Sequence, residues 1–181
     1  LKHGSPVIKG CLYMGQRVNE TYRMEYADLV DGSKNWIEIP PEKMKPNRPH
    51  RVYITKTVWR LIKQHRSGAR TVNDRWCWCG YGSGRGGHIS NAHINGQWVA
   101  MEKRLAKVKR PDAIKLQMRD FRRTLYTWIL ENLKQPETAT AVAGHKTDGM
   151  GNVYGVYGYA EEKKKAMLAW EKYLKGLTKK K

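Results

Sequence analysis

The chain has 181 residues, which is enough for one domain with a single substantial core. Lys and Arg number 35 against 16 Asp and Glu, so the formal net charge is +19. Such an excess of positive charge indicates a polyanionic partner, and no stretch is long and apolar enough to span or anchor in a membrane. Nucleic acid is therefore the favoured partner.

Three cysteines, an odd number, give no disulfide framework, and no signal peptide precedes them. We therefore expect a reducing, cytoplasmic location, the cytosol or the nucleoid, rather than secretion. The chain opens at Leu1 rather than at Met, so we expect an excised domain. Residues 1–14 are interpreted as the end of a preceding segment.

The first half of the chain predicts a short helix, a β-hairpin and a second helix. The helical pattern covers about 16–26, and alternating residues at 36–39 and 50–54 predict two strands. Several prolines between the strands enforce an irregular turn, with Lys45 at or near its tip. The next helix has a predicted buried face formed by Val58, Leu61, Ile62 and His65.

The second half is predicted to be mainly helical. The segment 75–88 is interpreted as a short strand that leads into a glycine-rich loop at 80–87. Helices are predicted at about 92–108, 119–132 and 160–174, and the lysines of the last helix are expected to face solvent. Its apolar stripe needs a partner, on its own domain or on a neighbouring protomer. The stripe consists of Ala166, Met167, Trp170, Tyr173 and Leu174.

Two arginines on the predicted helix at about 119–132 are candidates for binding an anion. Arg119 and Arg122 are three residues apart, so they project from one face of the predicted helix and can reach the same ligand. Forked guanidinium donors suit the non-bridging oxygens of a phosphate. Two neighbouring arginines are more often part of a solvated basic face of a helix. By themselves, the two residues therefore leave open both a phosphate site and a solvated surface.

His145 and Tyr154 are candidates for proton transfer and nucleophilic attack. An imidazole titrates near neutral pH, so it can donate to a phosphate or help to deprotonate a phenol. A phenol has a pKa of about 10 and needs neighbouring cations or a base before it attacks. Single residues of both types are more often structural, and Tyr157, Tyr159 and Tyr173 are rivals of Tyr154.

Short motifs along the chain resemble the active-site motifs of tyrosine recombinases of the phage integrase family. Gly-Gln-Arg17-Val-Asn-Glu20 is similar to the family's Gly-x-Arg-x-x-Glu motif, and Arg119-Asp-Phe-Arg122-Arg-Thr to its His-Asp-Leu-Arg-Arg-Thr motif. His145 precedes Tyr154 by nine residues, and Tyr154 precedes Trp170 by sixteen, as in prophage-type integrases. The motifs occur in the family's order from Arg17 to Leu174.

The resemblance implies a role for each matching residue. Tyr154 would be the nucleophile, and Arg17 and Arg122 would hold the phosphate, with Glu20 orienting Arg17. Lys45 would protonate the leaving oxygen, and His145 would assist. Lys43 is the competitor of Lys45 and is separated from it only by the surrounding Met-Lys-x-x-Arg-Pro-His pattern.

Two positions depart from the family's pattern. Arg119 stands where the family has His, so it can hold phosphate as a cation but cannot share a proton near neutral pH. Val156 stands where relatives commonly carry Arg, two residues after the nucleophile. These departures keep open a second interpretation, a degenerate domain that binds DNA without cutting it.

The resemblance implies a mostly helical α+β catalytic domain at 1–175 with a small antiparallel sheet, followed by a basic disordered tail at 176–181, with the N-terminal DNA-binding domains of the full-length protein absent. The implied activity is cutting and rejoining of double-stranded DNA at attachment sites through a 3′-phosphotyrosine, for integration or excision of a phage or mobile element.

The resemblance also implies the assembly and the requirements of the reaction. We expect a homotetramer on DNA and a monomer or weak oligomer for the isolated domain, and we expect no need for a metal, a cofactor or ATP. A topoisomerase with the same chemistry is a third possibility, which the Trp170 tail disfavours.

Two further patterns carry little weight. The glycine-rich run at 82–87 satisfies Gly-x-Gly-x-x-Gly, but no clear helix opens there, and acidic residues are absent about 20 positions later. Cys77 and Cys79 are separated by a single residue, outside the usual zinc spacing, and have only His88 and His93 as further candidate ligands. We therefore expect neither a dinucleotide site nor a metal site.

Overall fold

The computed structural model describes residues 5–30, 35–43, 49–68, 74–80, 87–107, 116–145 and 159–179. Within these residues the protein is mostly helical, with one two-stranded antiparallel sheet, as the sequence predicts. In chain order the elements are α1 (Pro6–Met14), α2 (Val18–Tyr22), β1 (Trp36–Ile39), β2 (His50–Tyr53), α3 (Lys56–Ser67), α4 (Asn91–Lys107), α5 (Met118–Leu133), α6 (Pro136–Ala143) and α7 (Ala160–Lys179).

The first of two apolar clusters joins α1, the sheet and α3. The strands pair with Trp36 opposite Tyr53 and Ile39 opposite His50. The predicted inward residues of α3 are all buried, and Lys56, Arg60, Lys63, Gln64 and Ser67 are exposed, as expected for an amphipathic helix. The cluster is formed by residues including Val7, Met14, Ile37, Val52, Ile62, Trp78 and Ile94.

The second cluster joins α5, α6 and α7. Trp170 is buried at its centre and donates from Nε1 to the carbonyl oxygen of Leu12 at 3.1 Å, so α7 is tied to α1. The helix α7 therefore packs on its own chain. The cluster is formed by Tyr53, Leu125, Ile129, Ala139, Val142, Ala166, Met167, Trp170 and Leu174.

The helix α1 was missed by the sequence interpretation, although its end signals are present. Pro6 stands in its first turn and Gly15 caps it in the left-handed conformation, with φ of +60°. A Cβ on Gly15 would collide with the side chain of Leu125, so α1 and α5 approach too closely here for any other residue. The helix α6 was also missed, and it too begins with a proline and ends at a left-handed glycine, Gly144.

Three other predictions need correction. The expected strand near residue 75 is reduced to isolated bridges, Glu25 with Trp76 and Cys79 with His88. The last helix continues through Gly176 to Lys179, so its predicted end at about 174 was too early and the tail expected from 176 begins as helix. One glycine costs a long helix only about 1 kcal/mol, which the rest of the helix tolerates.

The expected faces of α7 are right for most residues and wrong for two. Tyr173 is 42% exposed, because it lies at the rim of the cluster and stacks on Trp170. Lys163 was expected to face solvent but is buried, and it donates to the carbonyl oxygen of Arg51 at 3.1 Å. A long lysine stem can lie along apolar surface while its ammonium finds an acceptor.

Candidate active site

Arg17 is placed by the turn that follows α1. Its backbone precedes the first turn of α2, and its N–H donates to the Glu20 carboxylate at 3.0 Å. The Arg17 guanidinium donates to the other oxygen of the same carboxylate at 2.6 Å. The left-handed Gly15 thus turns the chain so that Arg17 begins a new helix beside α5.

Glu20 holds two arginines at once. Its carboxylate is buried, with a side chain 2% exposed, and it lies 3.5 Å from Nη1 of Arg122 as well as contacting Arg17. A buried carboxylate needs cationic partners to offset its desolvation. The Arg17 and Arg122 guanidiniums are therefore fixed next to each other before any ligand arrives.

Arg122 is the more deeply buried of the two arginines, with a side chain 11% exposed against 36% for Arg17. It also donates to the carbonyl oxygen of Ala143, the last residue of α6. Burial, together with the neighbouring charge of Arg17, lowers the pKa of the Arg122 guanidinium to about 10. Arg122 therefore remains a cation at neutral pH.

A cleft of about 460 Å³ opens in front of these arginines. Arg119 reaches it from an exposed position one turn before Arg122, and Tyr126 lies one turn after it, on the same face of α5. That helical spacing is the signal by which Tyr126, which sequence reasoning missed, could have been found. The cleft is lined by Gln16, Arg17, Val18, Arg119, Arg122, Arg123, Tyr126, Thr127 and His145.

His145 reaches the cleft from the end of α6. Gly144 adopts φ of +59°, and the backbone N–H of His145 donates to the carbonyl oxygen of Thr140 at 3.0 Å, which closes the helix end. The His145 ring lies 5.6 Å from the ring of Tyr126. The structure thus brings four of the predicted site residues to one cleft, Arg17, Arg119, Arg122 and His145.

Lys45 and Tyr154, the remaining predicted site residues, lie outside the described residues, as does Tyr157. Tyr173, one of the rivals of Tyr154, packs against Trp128 and Trp170 and is not among the residues that line the cleft. Tyr159 precedes α7 with φ of +49° and is likewise absent from the described lining.

Lys43, the competitor of Lys45, lies in an ionic network at the base of the hairpin. Its ammonium lies 2.8 Å from the Asp28 carboxylate and 2.9 Å from that of Glu25, and its side chain is 12% exposed. Glu25 also accepts from Arg75 at 2.7 Å. The hydrogen bond from Arg75, with a further contribution from Lys43, holds the pKa of the Glu25 carboxyl below its usual range despite burial. Lys43 therefore forms ion pairs with two carboxylates.

Neither a metal cluster nor a membrane-spanning helix occurs in the part of the chain that the structure describes. Within it, no group of three or more His, Cys, Asp or Glu side chains is arranged to hold a metal ion. Burial raises the pKa of the Cys77 thiol to about 12, so the thiolate that zinc binds is disfavoured there. No helix of the described segments is long and apolar enough to cross a bilayer.

Comparison with known proteins identifies the family. The profile of the phage integrase family matches residues 6–158, most of the chain, and the chain therefore belongs to this family, the tyrosine recombinases. Among curated protein sequences, none matches.

A solved structure supports the same fold. The crystal structure of XerH site-specific recombinase bound to difH substrate, in its pre-cleavage complex, matches with a TM-score of 0.56 and 18% sequence identity. The match covers 83% of this chain and 41% of the XerH chain, so the protein spans less than half the length of that recombinase.

Proposed function

We propose that this chain is the catalytic domain of a site-specific recombinase that cuts and rejoins double-stranded DNA through a 3′-phosphotyrosine. The observation that carries the proposal is the convergence of Arg17, Arg122, Arg119 and His145 on one cleft. Family membership agrees with it.

The cleft suits a phosphodiester in the transition state. Arg17 and Arg122 are held by Glu20 beside one another, and their remaining donors can meet the non-bridging oxygens where negative charge accumulates. Because the two guanidiniums are already oriented, little reorganisation is needed when the charge develops. Arg119 adds an exposed cation to the same wall.

In the proposed reaction His145 accepts the proton of the Tyr154 phenol, the phenolic oxygen attacks the phosphorus, and the bond from phosphorus to the 5′ oxygen breaks. Lys45 donates a proton to that leaving oxygen, and His145 assists. A 5′-hydroxyl from a second strand later reverses the step. No ATP is consumed, because the phosphotyrosine keeps the bond energy.

The ionic network around Lys43 supports Lys45 as the general acid. The Lys43 ammonium is held by the carboxylates of Asp28 and Glu25, and Lys43 is not among the described residues that line the cleft. Lys45 is the other lysine of the motif, and the sequence places it in the hairpin between β1 and β2.

The partner in this proposal is duplex DNA at attachment sites, on which four copies assemble to exchange strands during integration or excision of a phage or mobile element. The formal charge of +19 suits the phosphate backbone, which dominates affinity for DNA. XerH is described with its difH substrate, in agreement with DNA as the ligand class.

The test uses a nicked suicide DNA substrate, which traps the covalent intermediate. The wild-type chain should form a protein–DNA adduct, and Tyr154→Phe should form none while binding DNA with nearly unchanged affinity at the same salt concentration. Tyr157→Phe is the matched control and should leave adduct formation intact. Peptide mapping of the adduct should identify Tyr154, and a DNA-linked peptide carrying Tyr157 or Tyr159 would contradict the assignment.

A non-catalytic DNA-binding domain is the second candidate. It is favoured by Arg119 in the position of the family's His and by Val156 in the position of a common Arg. DNA binding by the wild-type chain without any trapped adduct would establish this alternative and exclude the recombinase.

A further inference from the structure

Gln16 is a buried polar residue beside the cleft arginines, and its side chain joins three segments. It is 2% exposed, between the left-handed Gly15 and Arg17. Its amide nitrogen donates to the carbonyl oxygens of Met14 at 3.1 Å and Val142 at 3.0 Å. Its amide oxygen lies 3.1 Å from Nε2 of His50, the first residue of β2.

The directions of these hydrogen bonds follow from the chemistry of the partners. The Met14 and Val142 carbonyls can only accept, so the Gln16 nitrogen must face them, and its oxygen must face His50. That oxygen can only accept, so Nε2 of His50 must carry a proton. This donor is present in one neutral tautomer of histidine and in the cation.

His50 in turn supports the turn that presents His145. It is 6% exposed, and a Cβ built on Gly144 would lie 3.1 Å from two atoms of the His50 ring. The ring therefore lies directly against the glycine backbone, where φ is +59°. The next residue is His145, on the wall of the cleft.

We propose that Gln16 and His50 act as a pair of positioning residues for strand cleavage, an inference that rests on the proposed function. Gln16 ties the segment of Arg17 to the end of α6, and His50 fills the space beneath the turn of His145. Together they set the distance between the phosphate-binding arginines and His145. A displacement of about 1 Å in such a constellation can cost on the order of 100-fold in rate.

The Gln16–His50 pair also joins the cleft to the sheet. His50 begins β2, five residues after Lys45 in the sequence, and its ring is hydrogen-bonded to Gln16, the neighbour of Arg17. Neither Gln16 nor His50 needs to contact DNA for this role.

The experiment compares Gln16→Met, which keeps the length of the side chain and removes its hydrogen bonds, with Thr57→Val. Thr57 is also buried, and its hydroxyl donates to Glu171 between α3 and α7. Removing this hydroxyl therefore removes a buried hydrogen bond, but at a residue that is not among those lining the cleft. Three quantities are measured for each variant: the single-turnover cleavage rate at saturating suicide DNA, the DNA Kd at fixed salt, and the melting temperature.

We expect Gln16→Met to cleave at least about 10-fold more slowly with little change in Kd, since a small displacement within the site lowers the rate more than the affinity. Thr57→Val should lose a similar amount of thermal stability and cleave at the wild-type rate. His50→Leu should behave like Gln16→Met. His50→Gln retains a planar amide that can donate to Gln16, so it should recover much of the rate.

The outcomes separate this inference from the proposed function. If the wild-type chain forms no adduct, the proposed function fails and the inference fails with it. If the wild-type chain cleaves and Gln16→Met matches Thr57→Val in both rate and stability, only the positioning role is overturned. Equal rates for His50→Gln and His50→Leu would likewise contradict the required donor at position 50.

Discussion

Two buried carboxylates, Glu20 and Glu171, are used for opposite purposes. Glu20 is 3% exposed and accepts from Arg17 and Arg122 at the edge of an open cleft. Glu171 is 6% exposed and accepts from Thr57 and Lys175 between α3 and α7. Both carboxylates satisfy the rule that a buried charge is paired, yet the partners of Glu20 face the cleft, whereas Glu171 and Thr57 join two helices.

The surroundings of Glu20 and Glu171 differ in how much positive charge remains after the carboxylate has been paired. Four arginines line the cleft, and among the described residues only the carboxylates of Glu20 and Asp120 are recorded in ion pairs with them. Around Glu171, within the described segments, the Lys175 ammonium and the Thr57 hydroxyl balance one carboxylate. Among the described residues, the cleft therefore keeps an excess of positive charge in contact with solvent, which is the charge that the proposed phosphate ligand requires.

The largest expected effect comes from removing the buried arginine of the cleft. Arg122→Ala should lower single-turnover cleavage on the order of 1,000-fold, because it removes a preorganised donor from the developing charge. It should also reduce stability, because Glu20 and the Ala143 carbonyl lose a partner.

Arg123 provides the control for this prediction. It lines the same cleft, but its side chain is 70% exposed and forms an ion pair with Asp120 at 3.5 Å. Arg123→Ala should change the cleavage rate by less than about 10-fold, since exposed ion pairs contribute little. Equal losses for the two variants would mean that net charge, rather than the placement by Glu20, sets the rate.

The next largest effect concerns the helix that Glu171 fastens. Trp170→Ala should lower the free energy of unfolding by about 3 kcal/mol, because it leaves a cavity among Trp128, Leu12 and α7. Thermal melting of the monomer measures this, and Tyr173→Ala, at a position 42% exposed, should cost under about 1 kcal/mol.

Cleavage by the Trp170→Ala variant, assayed well below its melting temperature, should remain near the wild-type rate. An unchanged melting temperature would contradict the packing of α7 on its own chain.

The smallest effect is the pH dependence contributed by Glu171. Burial by itself would raise the pKa of its carboxyl, but hydrogen bonds from Lys175 and Thr57 outweigh burial and hold the pKa below its usual range. A depressed pKa in the folded state means that the carboxylate stabilises the fold above the unfolded value, and this stability is lost as the pH falls through the folded value.

Glu171→Gln should therefore lose about 1–2 kcal/mol of stability at neutral pH and less in acid, since the stability that comes from the depressed pKa is lost as the pH falls from the unfolded value through the folded value. Denaturant melts at pH 7 and at pH 3.5 measure the difference. A loss that is the same at both pH values would show that the ion pair with Lys175 contributes nothing to stability.

The local patterns determined much of the architecture before any contact was known. The α3 periodicity, the alternation in β1 and β2, and the boundaries of α4 and α5 agree with the structure to within about two residues. These elements were predictable because one face of each is buried, and burial of one face imposes a period on the sequence.

The missed elements are those in which that period is weak. The helix α1 is apolar along much of its length, because it lies between both clusters, and α6 is short. The expected strand near residue 75 failed because Trp76 and Cys79 each pair with a different partner, one bridge at a time. Position in the fold, rather than propensity, decided these three segments.

The sequence by itself determined the family, through motifs whose order and spacing survive where overall similarity is low, and it identified Arg17, Arg119, Arg122 and His145 as candidates. Only the tertiary structure decided that these four share one cleft, that Glu20 bridges two of them, and that Lys43 is held by Asp28 and Glu25. The buried hydrogen bond between Gln16 and His50 was also beyond sequence reasoning. The physical reason is that hydrogen-bond partners far apart in the chain are chosen by burial, since a polar group removed from water must pair with whatever the fold brings within reach.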